Sequence, residues 1–222
     1  MTERVTFLLD HGADPNVVSV YNQRTAYVNA MVMGRPDLAE YLLKRGAKAE
    51  PLTTREQLLS AISSRNKESI WSLLLKEPEL AKGAEFLHHA AQSAGLEIVL
   101  ELISKGFDIN GLSHDGQTIL HVYAWEGDDK AISTLLELGA NPDIKDDTHQ
   151  STPLGFAIYA KSRKVVQLLT QHSENIIEVV ACENVERAKI LLARQPHLIY
   201  ERSNNGQSLI HIIGFNVQSH GN

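Results

Sequence analysis

The chain has 222 residues, 43% apolar and 22% charged, and its 21 Lys plus Arg against 27 Asp plus Glu leave a net charge of −6. That composition excludes a disordered or collagen-like chain and leaves enough length to bury a core in one or two domains. The acidic balance, with no run of Lys or Arg, argues against nucleic acid or an anionic membrane as partner.

The predicted elements, taken in chain order, repeat one theme. A helix over Thr2–Leu9 runs into Leu8-Leu9-Asp10-His11-Gly12-Ala13-Asp14-Pro15-Asn16. Thr25-Ala26-Tyr27-Val28 then opens a short helix with a small residue at Ala30, and a second helix closes on Leu42-Leu43-Lys44-Arg45-Gly46-Ala47-Lys48. The next closing string is Leu74-Leu75-Lys76-Glu77-Pro78-Glu79-Leu80, where proline stops the helix in place of glycine. Glu85-Phe86-Leu87-His88, followed by Ala90-Ala91, precedes a helix with Ile98, Val99, Leu102 and Ile103 at helical spacing, ending at Gly106. Thr118-Ile119-Leu120-His121 precedes Ile132, Leu135, Leu136 and Gly139. Thr152-Pro153-Leu154-Gly155 starts the next pair, with Thr118 and Thr152 placed to cap and Pro153 suited to a first helical turn. Leu192-Ala193-Arg194-Gln195-Pro196-His197-Leu198 closes another, and a last inner helix is expected over Ser208–Phe215.

The period is 33–34 residues: Gly12 to Gly46 is 34, Gly106 to Gly139 is 33, Leu87 to Leu120 is 33 and Leu120 to Leu154 is 34. Each unit has an uncovered apolar face, so stacking is what builds the core. This pattern resembles the ankyrin repeat, strongly over about 84–172 and in degenerate form at about 51–82 and 174–200. The resemblance implies a fold that is all-α by content, a solenoid of helix–turn–helix units with β-hairpin fingers. Closing positions fall at 12, 46, 78, 106, 139, 173 and 196, and the short steps of 28 and 23 residues predict shortened or missing fingers. A single domain is expected over 1–222, with partial repeats at 1–19 and 204–222. Full units are expected at about 20–50, 51–82, 83–114, 115–147, 148–173 and 174–203. No polar cap is evident at either end, so the chain is read as part of a longer protein.

Candidate chemistry is sparse. The adjacent His88 and His89 point about 100° apart on a helix, and no His-x-x-x-His or paired Cys completes a metal set. The resemblance implies instead that His88 and His121, at the family's Thr-Pro-Leu-His position, brace neighbouring hairpins. Cys182, with His172 or His197 as its imagined base, has nothing local to lower its pKa. The glycines make no phosphate loop. Asp128-Asp129 suits a helix N-terminus and Asp146-Asp147 a hairpin tip, and neither has the companions hydrolysis needs. No metal and no cofactor is expected, and the chain is read as non-enzymatic. Family resemblance also raises asparaginyl hydroxylation at Asn16 (with Leu8) and Asn110 (with Leu102), although the same asparagine serves a turn hydrogen bond. The lone cysteine, the lack of a signal-peptide build in Met1–Asp10 and the absence of a long apolar run predict a cytoplasmic location, in the source cell or as a secreted effector in a host cytosol.

In an ankyrin array the fingertips and the outward face of the inner helices form one concave groove. Counted from each leucine-equivalent, that face takes Val122, Trp125 and Glu126; Phe156, Tyr159 and Ala160; Asn29, Val32 and Met33; and His89, Gln92 and Ser93. Trp125, Phe156 and Tyr159 thus form either an exposed aromatic anchor for a partner or a cluster packed on itself under the fingers. Beside them Ser113-His114-Asp115 and Asp146-Asp147-Thr148-His149-Gln150 read as an acidic rim suited to Lys or Arg of a partner, or as plain solvated loops. Tyr123 departs from the family, which prefers alanine there. The leading expectation is a monomeric, non-enzymatic protein-binding scaffold. Its rivals are the recognition arm of a larger enzyme or pathogen effector, and a structural spacer.

Overall fold

The computed structural model describes residues 2–213, with the backbone alone at Thr2; residues 214–222, and with them the end of the helix expected over Ser208–Phe215 and of the partial repeat 204–222, lie outside the described residues. Thirteen α-helices are described: α1 (Thr2–Asp10), α2 (Ala26–Val32), α3 (Pro36–Lys44), α4 (Thr54–Ser63), α5 (Lys67–Lys76), α6 (Ala84–Ser93), α7 (Leu96–Ser104), α8 (Ile119–Glu126), α9 (Asp129–Glu137), α10 (Pro153–Tyr159), α11 (Arg163–His172), α12 (Ile176–Ala181) and α13 (Val185–Arg194). No β-strand occurs among the described residues, only an isolated bridge between Arg202 and Ser208. The protein is all-α. Contacts divide it into two compact units, Met1–Asp108 and Ile109–Asn222.

In the first unit, the inner helices α2, α4 and α6 pack side by side and each lies against the outer helix that follows it. Ala30, Ala39 and Leu42 form one core with Leu9, Tyr27 and Leu38 around it. Leu58, Ile62 and Ile70 are fully buried, and Phe86 meets Phe107 edge-on at 6.2 Å. Thr53 and Glu56 form a reciprocal cap on α4, which holds the start of a degenerate repeat in helical form.

The second unit repeats the scheme. Helix α8 packs on α10, each on its own outer helix, and α12 with α13 closes a core of Ile176, Val179, Val180, Leu191 and Leu209. Ile98, Val99 and Leu102 on α7 of the first unit, and Ile132, Leu135 and Leu136 on α9 of the second, are buried where their helical spacing places them.

The inner helices α2, α4, α6, α8, α10 and α12 all close with the same bond, a backbone N–H reaching back five residues to a carbonyl. The pairs are Arg35 to Ala30, Asn66 to Ala61, Gly95 to Ala90, Asp128 to Tyr123, Ser162 to Ala157 and Asn184 to Val179, at 2.8–3.0 Å. The acceptor is a small residue in four of the six. Tyr123 is the large exception.

The fingers are turns rather than hairpins. Backbone bonds close them at Ser19–Arg24, Ser113–Gln117, Asp146–Ser151 and Ser203–Gln207, each 2.8–2.9 Å, three with a second bond inside the turn (Gln23 to Ser19, Gly116 to Ser113, Gly206 to Ser203), spans too short for a ladder of paired strands. A 3₁₀ turn over Pro78–Lys82 stands in for a finger between α5 and α6, and α11 runs into α12 through residues 173–175 alone. A second 3₁₀ turn, Pro196–Tyr200, follows α13, so both helix-stopping prolines restart a tighter helix.

Candidate functional site

Trp125 stands two residues beyond Tyr123 on α8, and Tyr159 two beyond Ala157 on α10, so the shared closing turn brings the two rings to the same level. They stack at 5.2 Å with planes 13° apart. Trp125 remains 54% exposed and Tyr159 74% exposed, so the rings pack on one another and still face solvent. Phe156 sits lower and is half-buried. Its ring takes edge contacts from His121 at 5.1 Å, Trp125 at 6.3 Å and His149 at 6.0 Å. It supports the exposed pair. Val122 is half-buried, and Val32, expected on the corresponding outward face of α2, is buried at 3% exposure.

His121 ties this face to the next finger. Its Nδ1 accepts the Thr118 backbone N–H at 3.0 Å, which places the ring proton on Nε2, where it is donated to the Ser151 carbonyl at 3.1 Å. Thr152 does not cap with its hydroxyl; it donates instead to Glu178 Oε1 at 2.8 Å.

Asp146, expected on an acidic rim, is not there. Its side chain is fully buried and accepts from Ser151 N at 2.8 Å, His149 N at 3.0 Å and His149 Nδ1 at 3.0 Å. Burial pushes the carboxyl up, and the bonds from Ser151 and His149 outweigh it, holding the group below the usual range. Asp146 is therefore the internal post of its finger. Asp147 is exposed, as are His114, Asp115, Glu126 and His149. The Asp147 N–H donates to the Asp115 carbonyl at 2.9 Å, joining neighbouring fingers. Partial burial, then the charge of Asp128, raises the Glu126 carboxyl. Asp128 caps α9 through Ala131 N at 2.9 Å, and Asp129 pairs with Lys164.

The remaining candidates have structural surroundings. Burial, then Glu178 and Glu183, pushes the Cys182 thiol up to about 11, so at neutral pH it is not a thiolate. His172 Nδ1 lies 3.0 Å from the Leu168 carbonyl of its own helix. Asn16 donates to the Gly46 carbonyl at 3.0 Å and accepts from Lys48 N at 2.8 Å, while Asn110 accepts from Asn141 N at 2.8 Å; both join consecutive repeats. Among the described residues no group of three His, Cys, Asp or Glu could hold a metal ion, and no helix is long and apolar enough to cross a membrane.

One polar cluster was not legible in advance. Ser63 donates to the Val32 carbonyl at 2.8 Å and lies 2.6 Å from His89 Nε2, and Ser93 donates to the His89 carbonyl at 2.6 Å. It has the look of a nucleophile and base, yet the serine proton goes to Val32, so Nε2–H is the donor to Ser63. Burial lowers the His89 pKa, in keeping with a neutral ring. The cluster laces α2, α4 and α6 together. Its partners lie 26 and 31 residues apart, beyond any local motif.

Comparison with known proteins gives one family. The family of Ankyrin repeats (3 copies) matches residues 58–146 and 87–180, more than half of the chain. Human rabankyrin-5 is 27% identical over 150 residues, 57% of this chain and 13% of that protein. Serine/threonine-protein kinase 12 of Arabidopsis thaliana is 33% identical over 99 residues, 45% of this chain and 21% of that one. The crystal structure of the ankyrin repeat domain of Bcl-3 aligns with a TM-score of 0.46 and 24% identity, covering 76% of this chain and 77% of that chain. The chain thus spans about an eighth to a fifth of the length of these two curated relatives.

Proposed function

Because this chain belongs to the ankyrin repeat family, whose repeats mediate protein–protein interaction, we propose that it is a non-enzymatic scaffold that binds a protein partner through the face of α8 and α10 and the two fingers beside them. Trp125 and Tyr159 are the anchors. Phe156 and Val122 support them, and His114, Asp115, Glu126, Asp147 and His149 form the rim. Asp146 belongs to the framework of that rim.

The observation that carries the reading is the exposed Trp125–Tyr159 stack. Large rings left in solvent on well-packed helices are the usual anchors of interfaces, each contributing roughly 2 kcal/mol or more when a partner covers it. Repeat stacking also presets their positions, which lowers the ordering cost of association.

The test is a quantitative pull-down comparing the wild type with a Trp125→Ala, Tyr159→Ala variant shown by circular dichroism to be folded. A bound protein lost only with the variant supports this site. Identical captures would move attention away from the aromatics, and no specific capture would favour a spacer. A second reading, that these repeats are the recognition arm of a larger protein, is favoured by the small share of rabankyrin-5 and of the Arabidopsis kinase that they match. The cytoplasmic setting belongs to the same proposal.

A further inference from the structure

The charge distribution around the stack is one-sided. Residues 109–129 and 146–160 contain no Lys or Arg but carry Asp115, Glu126, Asp128, Asp129, Asp146 and Asp147. Three of these carboxylates already have work: Asp128 caps α9, Asp129 pairs with Lys164, and Asp146 is buried in its finger. Asp115, Glu126 and Asp147 are exposed, and among the described residues none of them takes part in an ion pair. Glu126 directly follows Trp125 in sequence. Asp147 sits on the finger whose His149 ring contacts Phe156 at 6.0 Å, and its backbone holds Asp115 alongside. Lys130, Lys145 and Lys161 stand only at the borders of the two segments.

An apolar partner alone would cover these carboxylates without a counter-charge, and desolvating them unpaired is costly. A polyanion would be repelled. A guanidinium satisfies both features at once, because its flat face stacks on indole and phenol rings while its N–H fork meets carboxylates. We propose that the partner is a cationic protein segment, with an arginine side chain laid against the Trp125–Tyr159 stack and neighbouring cations met by Asp115, Glu126 and Asp147. This rests on the binding face proposed above and specifies its occupant.

The test starts from random-sequence peptides selected on the full chain, with the strongest binder resynthesised three ways: as selected, with each Arg replaced by Lys, and with each Arg replaced by neutral citrulline. Affinity is read by fluorescence anisotropy at low and high salt. The expected result is an arginine-rich binder weakened about tenfold by Trp125→Ala and by an Asp115→Asn, Glu126→Gln, Asp147→Asn variant. Citrulline should weaken it more than Lys does, and binding should fall with salt. The triple variant changes only exposed side chains, and circular dichroism checks that it stays folded, so that a loss of binding is read apart from a loss of fold. Selected peptides that need Trp125 and Tyr159 but lack Arg, or tolerate citrulline, would overturn the inference while keeping the face. Peptides indifferent to both rings would overturn the two together.

Discussion

Tyr123 occupies on α8 the position that Ala157 occupies on α10: each carbonyl accepts the bond that closes its helix, from Asp128 and from Ser162, both at 3.0 Å. Where four repeats bury a methyl group, this one buries a phenol. The ring is 2% exposed and its hydroxyl has no hydrogen-bond partner. Burial, then Glu126 and Asp128, drives the phenol well above its ordinary range, so it is neutral. Removing an orphaned polar atom relieves a desolvation cost of about 1–3 kcal/mol, whereas removing the ring opens a cavity costing about 3–5 kcal/mol. Tyr123→Phe is therefore expected to raise the Tm and Tyr123→Ala to lower it sharply, measured by thermal circular dichroism. Equal losses would mean that the hydroxyl has a partner.

Gly116 and Gly206 occupy corresponding finger turns, with φ of +72° and +78°. An added Cβ at Gly116 would come within 2.6 Å of Asp147 Cγ, whereas at Gly206 nothing lies within 4 Å. Gly206→Ala should therefore show only the left-handed backbone penalty, about 1–2 kcal/mol. Gly116→Ala adds a clash with the backbone of the next finger and is expected to cost about 2–4 kcal/mol. Urea unfolding of both variants separates the two contributions. Equal losses would show that the Asp115–Asp147 junction yields without cost.

The inner-to-outer turns invite the opposite change. Lys161 and Glu183 hold φ of +58° and +57° at the place where Gly34 and Gly127 sit in other repeats. Lys161→Gly and Glu183→Gly are expected to gain up to about 1 kcal/mol each, the relief of the left-handed strain less the extra freedom of the unfolded chain. A midpoint shift in urea at constant slope checks this. A loss at both would mean that the side chains contribute contacts greater than the strain.

The repeat was legible because its punctuation is local. Glycine or proline closes helices at 12, 46, 78, 106, 139 and 196, and apolar residues at helical spacing mark the buried faces. Counting along a helix also puts Trp125 and Tyr159 on the outside, since a two-residue offset from a buried position suffices. Phe156 was harder: its half-burial arises from His121 and His149 on other elements. Asp146 misled because loop carboxylates are usually solvated, yet its partners are three and five residues on, and an aspartate followed at that spacing by His149 and Ser151 in a turn is a readable signal. The Ser63–His89 lacing has no such local sign.

Glu178 gives the pH dependence a defined sign. Its Oε1 accepts from Thr152 at 2.8 Å, while Oε2 is buried without a partner. Burial is the main cause of a carboxyl raised above its ordinary 4.5, the Thr152 bond works against it, and Asp143 adds to it. Between 4.5 and that raised value the folded protein keeps a proton that the unfolded chain has released. Stability from this group is thus full below pH 4.5 and falls as pH rises through the folded value. Glu178→Gln keeps the acceptor for Thr152 and replaces a buried charge with an amide, whose desolvation costs less. The variant is expected to melt higher than wild type at pH 7, and the two to converge toward pH 4.5. Taking the difference between variant and wild type cancels the other titrating groups, Asp146 among them, whose contribution is lost only at acid pH. A second reading comes from Cys182, whose thiol is held at about 11 by burial and then by the Glu178 charge. Its titration, followed by the pH dependence of alkylation of this lone cysteine with iodoacetamide, should move down in Glu178→Gln. A melting difference independent of pH, with an unmoved thiol, would mean that Glu178 is solvated and ionised as an ordinary carboxylate.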